Sequence, residues 1–135
     1  MLNQGGASMQ YTAVVKNLLG LKPHRKAMYL TTGLWSSLAF EEARKFVEPT
    51  NLIEVANMRT SEQMSMADPS TWHIDPEASF FHYCSNETVD GFELDEQLFP
   101  WELIPRDVAV VTDMSSNIGT RPINWDRTDV IYAGC

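Results

Sequence analysis

One stretch toward the end of the chain limits what it can fold into: Val108-Ala109-Val110-Val111-Thr112-Asp113-Met114-Ser115-Ser116-Asn117. A β-branched apolar run stops on a carboxylate and gives way to small polar residues. The run does not alternate apolar with polar, so it predicts a strand covered on both faces. Strands of that kind belong to parallel sheets, in which ligands bind beyond the carboxyl ends. Asp113 is then either a turn residue or a charge that orients a ligand.

The remaining elements place this strand in an α/β fold. Ala27–Thr32, Asn51–Ala56, Ser79–Cys84 and Asp129–Ala133 read as further strands. Val14, Val15, Leu18 and Leu19 recur at helical spacing, with Ser8 suited to the N-cap and Gly20 to the C-terminal stop. A second helix follows Gly33 and Trp35, running through Ala39, Ala43 and Phe46. Residues 57–72 read as a loop and Glu93–Pro105 as an acidic connector. Two helices cannot cover both faces of a sheet of about five strands. On this reading the isolated chain self-associates or unfolds without a cooperative transition.

Length and charge narrow the function. With 135 residues the chain is long enough for one domain with a real core, and 44% hydrophobic content predicts a globular fold. A net charge of −8 argues against nucleic acid and anionic membranes as partners. No apolar run is long enough to span a bilayer. The N-terminus lacks the basic and apolar regions of a signal peptide. Cys84 and Cys135 have no metal-ligand spacing; Cys84 reads as a small core residue. His24 and His73 read as surface residues. A reducing, cytoplasmic location follows.

Several features offer themselves to a ligand. Gly5-Gly6-Ala7-Ser8 opens a helix, and free N–H groups there favour a phosphate; the alternative is a plain capped helix. Trp35, between a strand end and a helix start, suits either core packing or a stacked ring. Thr88, in the polar turn after Cys84, is a hydroxyl donor or a turn residue. Together with Asp113 they offer an anion nest, an indole plate, a hydroxyl and a carboxylate. A flat, phosphorylated, cationic heterocycle matches all of them, and pyridoxal 5'-phosphate is such a molecule.

These residues also resemble a known family. Gly5-Gly6-Ala7-Ser8-Met9-Gln10, Thr32-Gly33-Leu34-Trp35-Ser36, Asn86-Glu87-Thr88-Val89-Asp90-Gly91, Thr112-Asp113-Met114-Ser115-Ser116-Asn117 and Val130-Ile131-Tyr132-Ala133-Gly134 are similar, in order and spacing, to the phosphoserine aminotransferases. The resemblance implies residues 1–135 as part of the three-layer α/β/α large domain of fold-type-I pyridoxal-phosphate enzymes, with a mostly parallel sheet. It implies amino transfer between glutamate and 3-phosphohydroxypyruvate, giving phosphoserine and 2-oxoglutarate in serine biosynthesis, by a homodimer. It assigns Ala7 and Ser8 to the cofactor phosphate, and Ser115 also. Trp35 would stack on the ring, Thr88 would bond its phenolic oxygen, and Asp113 would pair with its nitrogen. Ala7 and Met9 stand where many members carry glycine. The family's Schiff-base lysine would follow Cys135, and the small domain lies outside the sequence, so the resemblance implies an inactive isolated chain. The alternative is a non-catalytic product that acts, if at all, as an interaction or vestigial protein. The stretch from Val111 to Thr120 also loosely resembles a phosphoribosyl-pyrophosphate loop, but Asp113 lacks the adjacent acid such loops carry. No Gly-x-Ser-x-Gly elbow supports a serine hydrolase.

Overall fold

A computed structural model describes residues 5–58 and 66–134; part of the loop predicted at 57–72, and Cys135, lie outside them. Gly5 and Gly6 adopt φ of 121° and 57°, backbone that only glycine enters freely. They turn the chain directly into helix α1 (Gly6–Leu18), whose N-cap is Gly5. Ser8 therefore lies inside the first turn and is not the cap. The helix tightens into a 3₁₀ turn at Leu19–Leu21, so Gly20 sits within that turn and is not the stop. Strand β1 (Lys26–Thr31) leads into helix α2 (Leu34–Ala43), which ends before Phe46. Then come β2 (Leu52–Asn57), β3 (Ala78–Cys84), a small antiparallel hairpin of β4 (Asn86–Glu87) and β5 (Phe92–Glu93), β6 (Ala109–Asp113) and β7 (Val130–Tyr132). The hairpin was not foreseen; it folds the Thr88–Gly91 turn back toward α2.

The main sheet runs β2-β1-β3-β6-β7, and every pairing in it is parallel. From β1 the chain steps outward to β2 and then back to β3. The order therefore reverses between β1 and β3, which opens a crevice at their carboxyl ends. Register places Cys84 beside Asp113, and Asp113 beside Tyr132. All of β3 is buried, as is β6 beyond Ala109. In β7, Val130 and Ile131 are only half-buried, because β7 has one neighbour among the described residues.

Both helices lie on one face. Tyr11, Val14 and Val15 of α1 and Ala39, Phe40 and Ala43 of α2 pack on Tyr29, Phe80 and Val111. The other face is not bare, contrary to the helix count. Trp72, Leu94, Phe99 and Ile104 cover Met28, Leu30, Phe81, Tyr83 and Val110. These residues come from the stretches read as loop and connector. Phe99 is central, with ring centroids 4.4 Å from Trp101, 5.3 Å from Tyr83 and 5.6 Å from Trp72. Large rings cover a sheet without regular backbone beneath them, provided the freed carbonyls find donors. The Arg127 guanidinium supplies some, donating to Trp101 O and Ile104 O at 2.7 Å each.

Candidate functional site

A cavity of about 320 Å³ opens at the carboxyl edge of the sheet. Its floor is the end of β6. Asp113, only 3% exposed, accepts from the Ser115 N–H at 2.9 Å and the Ser115 hydroxyl at 2.6 Å, both on Oδ1. Ser115 Oγ in turn accepts from the Gly134 N–H at 2.9 Å. The carboxylate is thus held in one orientation by the loop that follows it and, through Ser115, by the end of β7. Its neighbours are neutral. Burial, and then the Asp113 charge, push the Tyr11 and Tyr132 phenols well up. Burial, then Glu87 and Asp113, do the same to the Cys84 thiol. Behind the floor, His82 is fully buried and bonds the Tyr132 hydroxyl through Nε2 at 2.8 Å. Burial lowers its imidazole to about 3, so it is neutral.

One wall is the start of α2. Trp35 Nε1 donates to Thr88 Oγ1 at 2.9 Å, which fixes the indole while leaving the Thr88 hydroxyl proton for another acceptor. The helix N-terminus itself is closed. Glu87 accepts from the Trp35 N–H at 2.7 Å, the Ser36 N–H at 2.9 Å and the Thr32 hydroxyl at 3.2 Å. Asp90 accepts from the Leu34 N–H at 2.6 Å. Ser36 Oγ accepts from the Gly33 N–H, completing the cap.

The opposite wall is the start of α1, and it differs. Among the described residues, no side chain caps it. Gly6 and Ala7 line the cavity. Gly134 lies so close that a Cβ there would sit 3.0 Å from the Ala7 nitrogen. One helix end has two carboxylates on its N–H groups; the other faces the cavity with none. An anion fits only the second.

Of the residues singled out from sequence, Ala7, Trp35, Thr88, Asp113 and Ser115 all line this cavity. Ser8 does not: it is exposed on the first turn of α1, because the helix begins at Gly6 and rotates it away. The Ser115 hydroxyl is turned to Asp113. Glu87, Tyr11, Asn86 and Gly134 were not foreseen as parts of the site. Glu87 gave no signal, since its partners lie in another segment. Lys16, Lys22, Lys26 and Lys45 do not line the cavity. Lys22 pairs with Asp107, and Lys26 with Asp75 and Glu77. His24 and His73 are exposed, as expected. No metal-binding cluster exists among the described residues, nor does any helix there have the length and apolarity to cross a membrane.

The family model for Aminotransferase class-V matches residues 3–135. The phosphoserine aminotransferase of Idiomarina loihiensis (strain ATCC BAA-735 / DSM 15497 / L2-TR) is 39% identical over 132 residues, covering 97% of this chain and 34% of that protein. That of Coxiella burnetii (strain Dugway 5J108-111) is 38% identical over 131 residues, covering 96% and 33%. Among solved structures, PLP-bound phosphoserine aminotransferase from Trichomonas vaginalis aligns with a TM-score of 0.78 at 34% identity, covering 96% of this chain and 36% of that one. The Bacillus circulans subsp. alkalophilus phosphoserine aminotransferase aligns at 0.79 and 30%, covering 96% and 33%. The chain spans about a third of the length of the curated relatives it matches. The matched region includes both helix starts and every strand end around the cavity, and on that basis the chain belongs to the class-V aminotransferases.

Proposed function

We propose that this chain is the cofactor-binding part of a pyridoxal-phosphate-dependent phosphoserine aminotransferase. Such an enzyme moves an amino group between glutamate and 3-phosphohydroxypyruvate, giving phosphoserine and 2-oxoglutarate. One observation carries the reading. A fixed carboxylate, an anchored indole, a hydroxyl with a free proton and an uncapped helix end line a single cavity. The close approach of Gly134 to Ala7 shapes the cradle at that helix end, which any larger residue would fill.

The residues fit the group. Asp113 would hold the ring nitrogen, Trp35 the ring face and Thr88 the phenolic oxygen. The first-turn N–H groups of α1 would take the phosphate. Ser115 would join them only by turning its hydroxyl from Asp113, and Ser8 by a change in the first turn of α1. Bound pyridoxal phosphate supplies an electron sink for chemistry at an amino acid's α-carbon. Cys84, Tyr11 and Tyr132 keep their protons, so Asp113 has no second anion beside it on the floor.

No lysine lines the cavity, so the chain by itself binds the cofactor without a covalent bond and does not turn substrate over. The complete enzyme is a cytoplasmic homodimer that uses neither nucleic acid nor membrane. The other reading, a non-catalytic binding or vestigial product, shares this cavity.

Titration of the chain with pyridoxal phosphate, followed by calorimetry, tests the proposal. Binding should weaken about tenfold or more in Asp113→Asn and in Trp35→Ala. Equal affinity in both variants refutes the assignment. Turnover of glutamate with 3-phosphohydroxypyruvate by the chain alone refutes the claim of inactivity.

A further inference from the structure

We infer that Glu87 is a positioning residue that sets the cofactor-facing indole of Trp35 and the hydroxyl of Thr88 as one unit, a role that rests on the proposed function. Glu87 is completely buried, and the Asp90 carboxylate lies close beside it across Gly33. A buried carboxylate without partners would be costly. Its oxygens are met entirely by donors: the N–H groups of Trp35 and Ser36 and the hydroxyl of Thr32. These are charge-assisted bonds at a helix N-terminus, where the dipole adds to them.

The position of Glu87 in the chain gives this cap its purpose. Thr88 is the next residue, and its Oγ1 accepts from Trp35 Nε1. Glu87 therefore grips the backbone of Trp35 while its neighbour grips the same residue's ring. The two bonds span the crevice where the strand order reverses, joining the segment after β1 to the segment after β3. A helix cap alone needs no such pairing, and α1 has no side-chain cap among the described residues. Gly33 completes the fit. Its φ of −169° is ordinary extended backbone, but a Cβ there would lie 2.6 Å from Glu87 Cγ. The space is reserved for the carboxylate.

The test reads the Trp35 indole directly. In the ¹⁵N-labelled chain without ligand, the Trp35 Nε1–H resonance is assigned with Trp35→Phe. Glu87→Gln places an amide N–H₂ against donors. It should move that resonance upfield as the Thr88 bond is lost, and weaken pyridoxal phosphate binding about tenfold or more. Glu54→Gln is the control. Glu54 lies on β2 and accepts from the Thr31 hydroxyl at 2.6 Å and the Asn57 amide at 2.9 Å. It should move neither readout. If Glu87→Gln does not fold, Thr32→Val, which removes one donor, should shift the resonance the same way by less. A folded Glu87→Gln chain, or failing that a Thr32→Val chain, with an unmoved Trp35 resonance overturns the inference. A wild-type chain that binds no pyridoxal phosphate overturns instead the proposed function, and the ligand-free resonance still decides whether Glu87 positions the ring.

Discussion

Replacing Gly33 with alanine isolates the contribution of the α2 cap. The backbone there accepts any residue, so the whole effect comes from space. The new Cβ would lie 2.6 Å from Glu87 Cγ, 2.7 Å from its Cδ and 2.6 Å from Asp90 Oδ2. Carbon atoms attract best at about 3.5–4.0 Å, so the carboxylate must retreat by about 1 Å. That stretches its bonds to Trp35 and Ser36, now 2.7 and 2.9 Å, beyond useful range. Bonds to a charged group contribute about 1.5–3 kcal/mol each. The stiffer unfolded chain returns about 0.4–1 kcal/mol. Gly33→Ala should therefore destabilise by about 2–5 kcal/mol. Urea unfolding, followed by circular dichroism and by tryptophan emission, measures it. Gly91→Ala is the comparison: it has open space but a φ of 69°, and should cost about 1–2 kcal/mol from backbone strain alone. A loss under about 1 kcal/mol in Gly33→Ala would show that the carboxylates relocate freely and that the cap is not under the constraint described.

Other substitutions and conditions probe the rest of the molecule. Phe99→Ala should cost about 3–5 kcal/mol in the same assay, since it empties the centre of the irregular layer; a surface-like loss below about 1 kcal/mol would mean that layer is not packed. His82 stays neutral in the fold down to about pH 3, whereas the unfolded chain takes that proton near 6.5. Between those values the unfolded state binds the extra proton, so stability falls with pH by about 1.4 kcal/mol per unit. From pH 7 to pH 5 the loss is about 2 kcal/mol, and a folded His82→Gln variant should lack it; an equally steep profile in that variant would refute the assignment. The Cys84 thiol, buried and pushed up in pKa, should resist a disulfide reagent at pH 8 in a Cys135→Ser background until the chain is unfolded. Rapid labelling of the native chain would show that the cavity floor is open to solvent.

The strands were legible because their signal is local. β-branched and aromatic runs ending in glycine, serine or aspartate gave all five strands of the main sheet to within a residue or two. Asp113, Trp35 and Thr88 were readable for the same reason: each sits where a strand stops. What escaped depends on distant partners. Glu87 is an unremarked residue of a polar turn until α2, 51 residues back at Ser36, supplies its donors. The second face of the sheet was missed because Trp72, Phe99 and Trp101 follow no period. Side chains that cover a sheet from irregular backbone leave no pattern to read. With that face covered, the case for association from a bare sheet loses its premise, while β2 and β7 stand at the edges of the sheet among the described residues. Ser8 was misassigned as a cap because capping chemistry favours serine, while two glycines just before it had already turned the chain.

The uncapped start of α1 bears on how quickly a ligand arrives. The chain carries a net charge of −8, and no lysine or arginine among the described residues lines the cavity. A phosphorylated ligand is therefore repelled at long range and attracted only on contact, by backbone N–H groups whose pull fades within a turn of helix. Sites that use cationic side chains lose association rate as salt is added. Here added salt screens the repulsion over a Debye length of about 8–10 Å and leaves the contact bonds nearly untouched. Association should accelerate with ionic strength while dissociation holds steady, so affinity rises with salt. An anion site made of backbone lets an acidic protein keep its surface charge and still capture a phosphate.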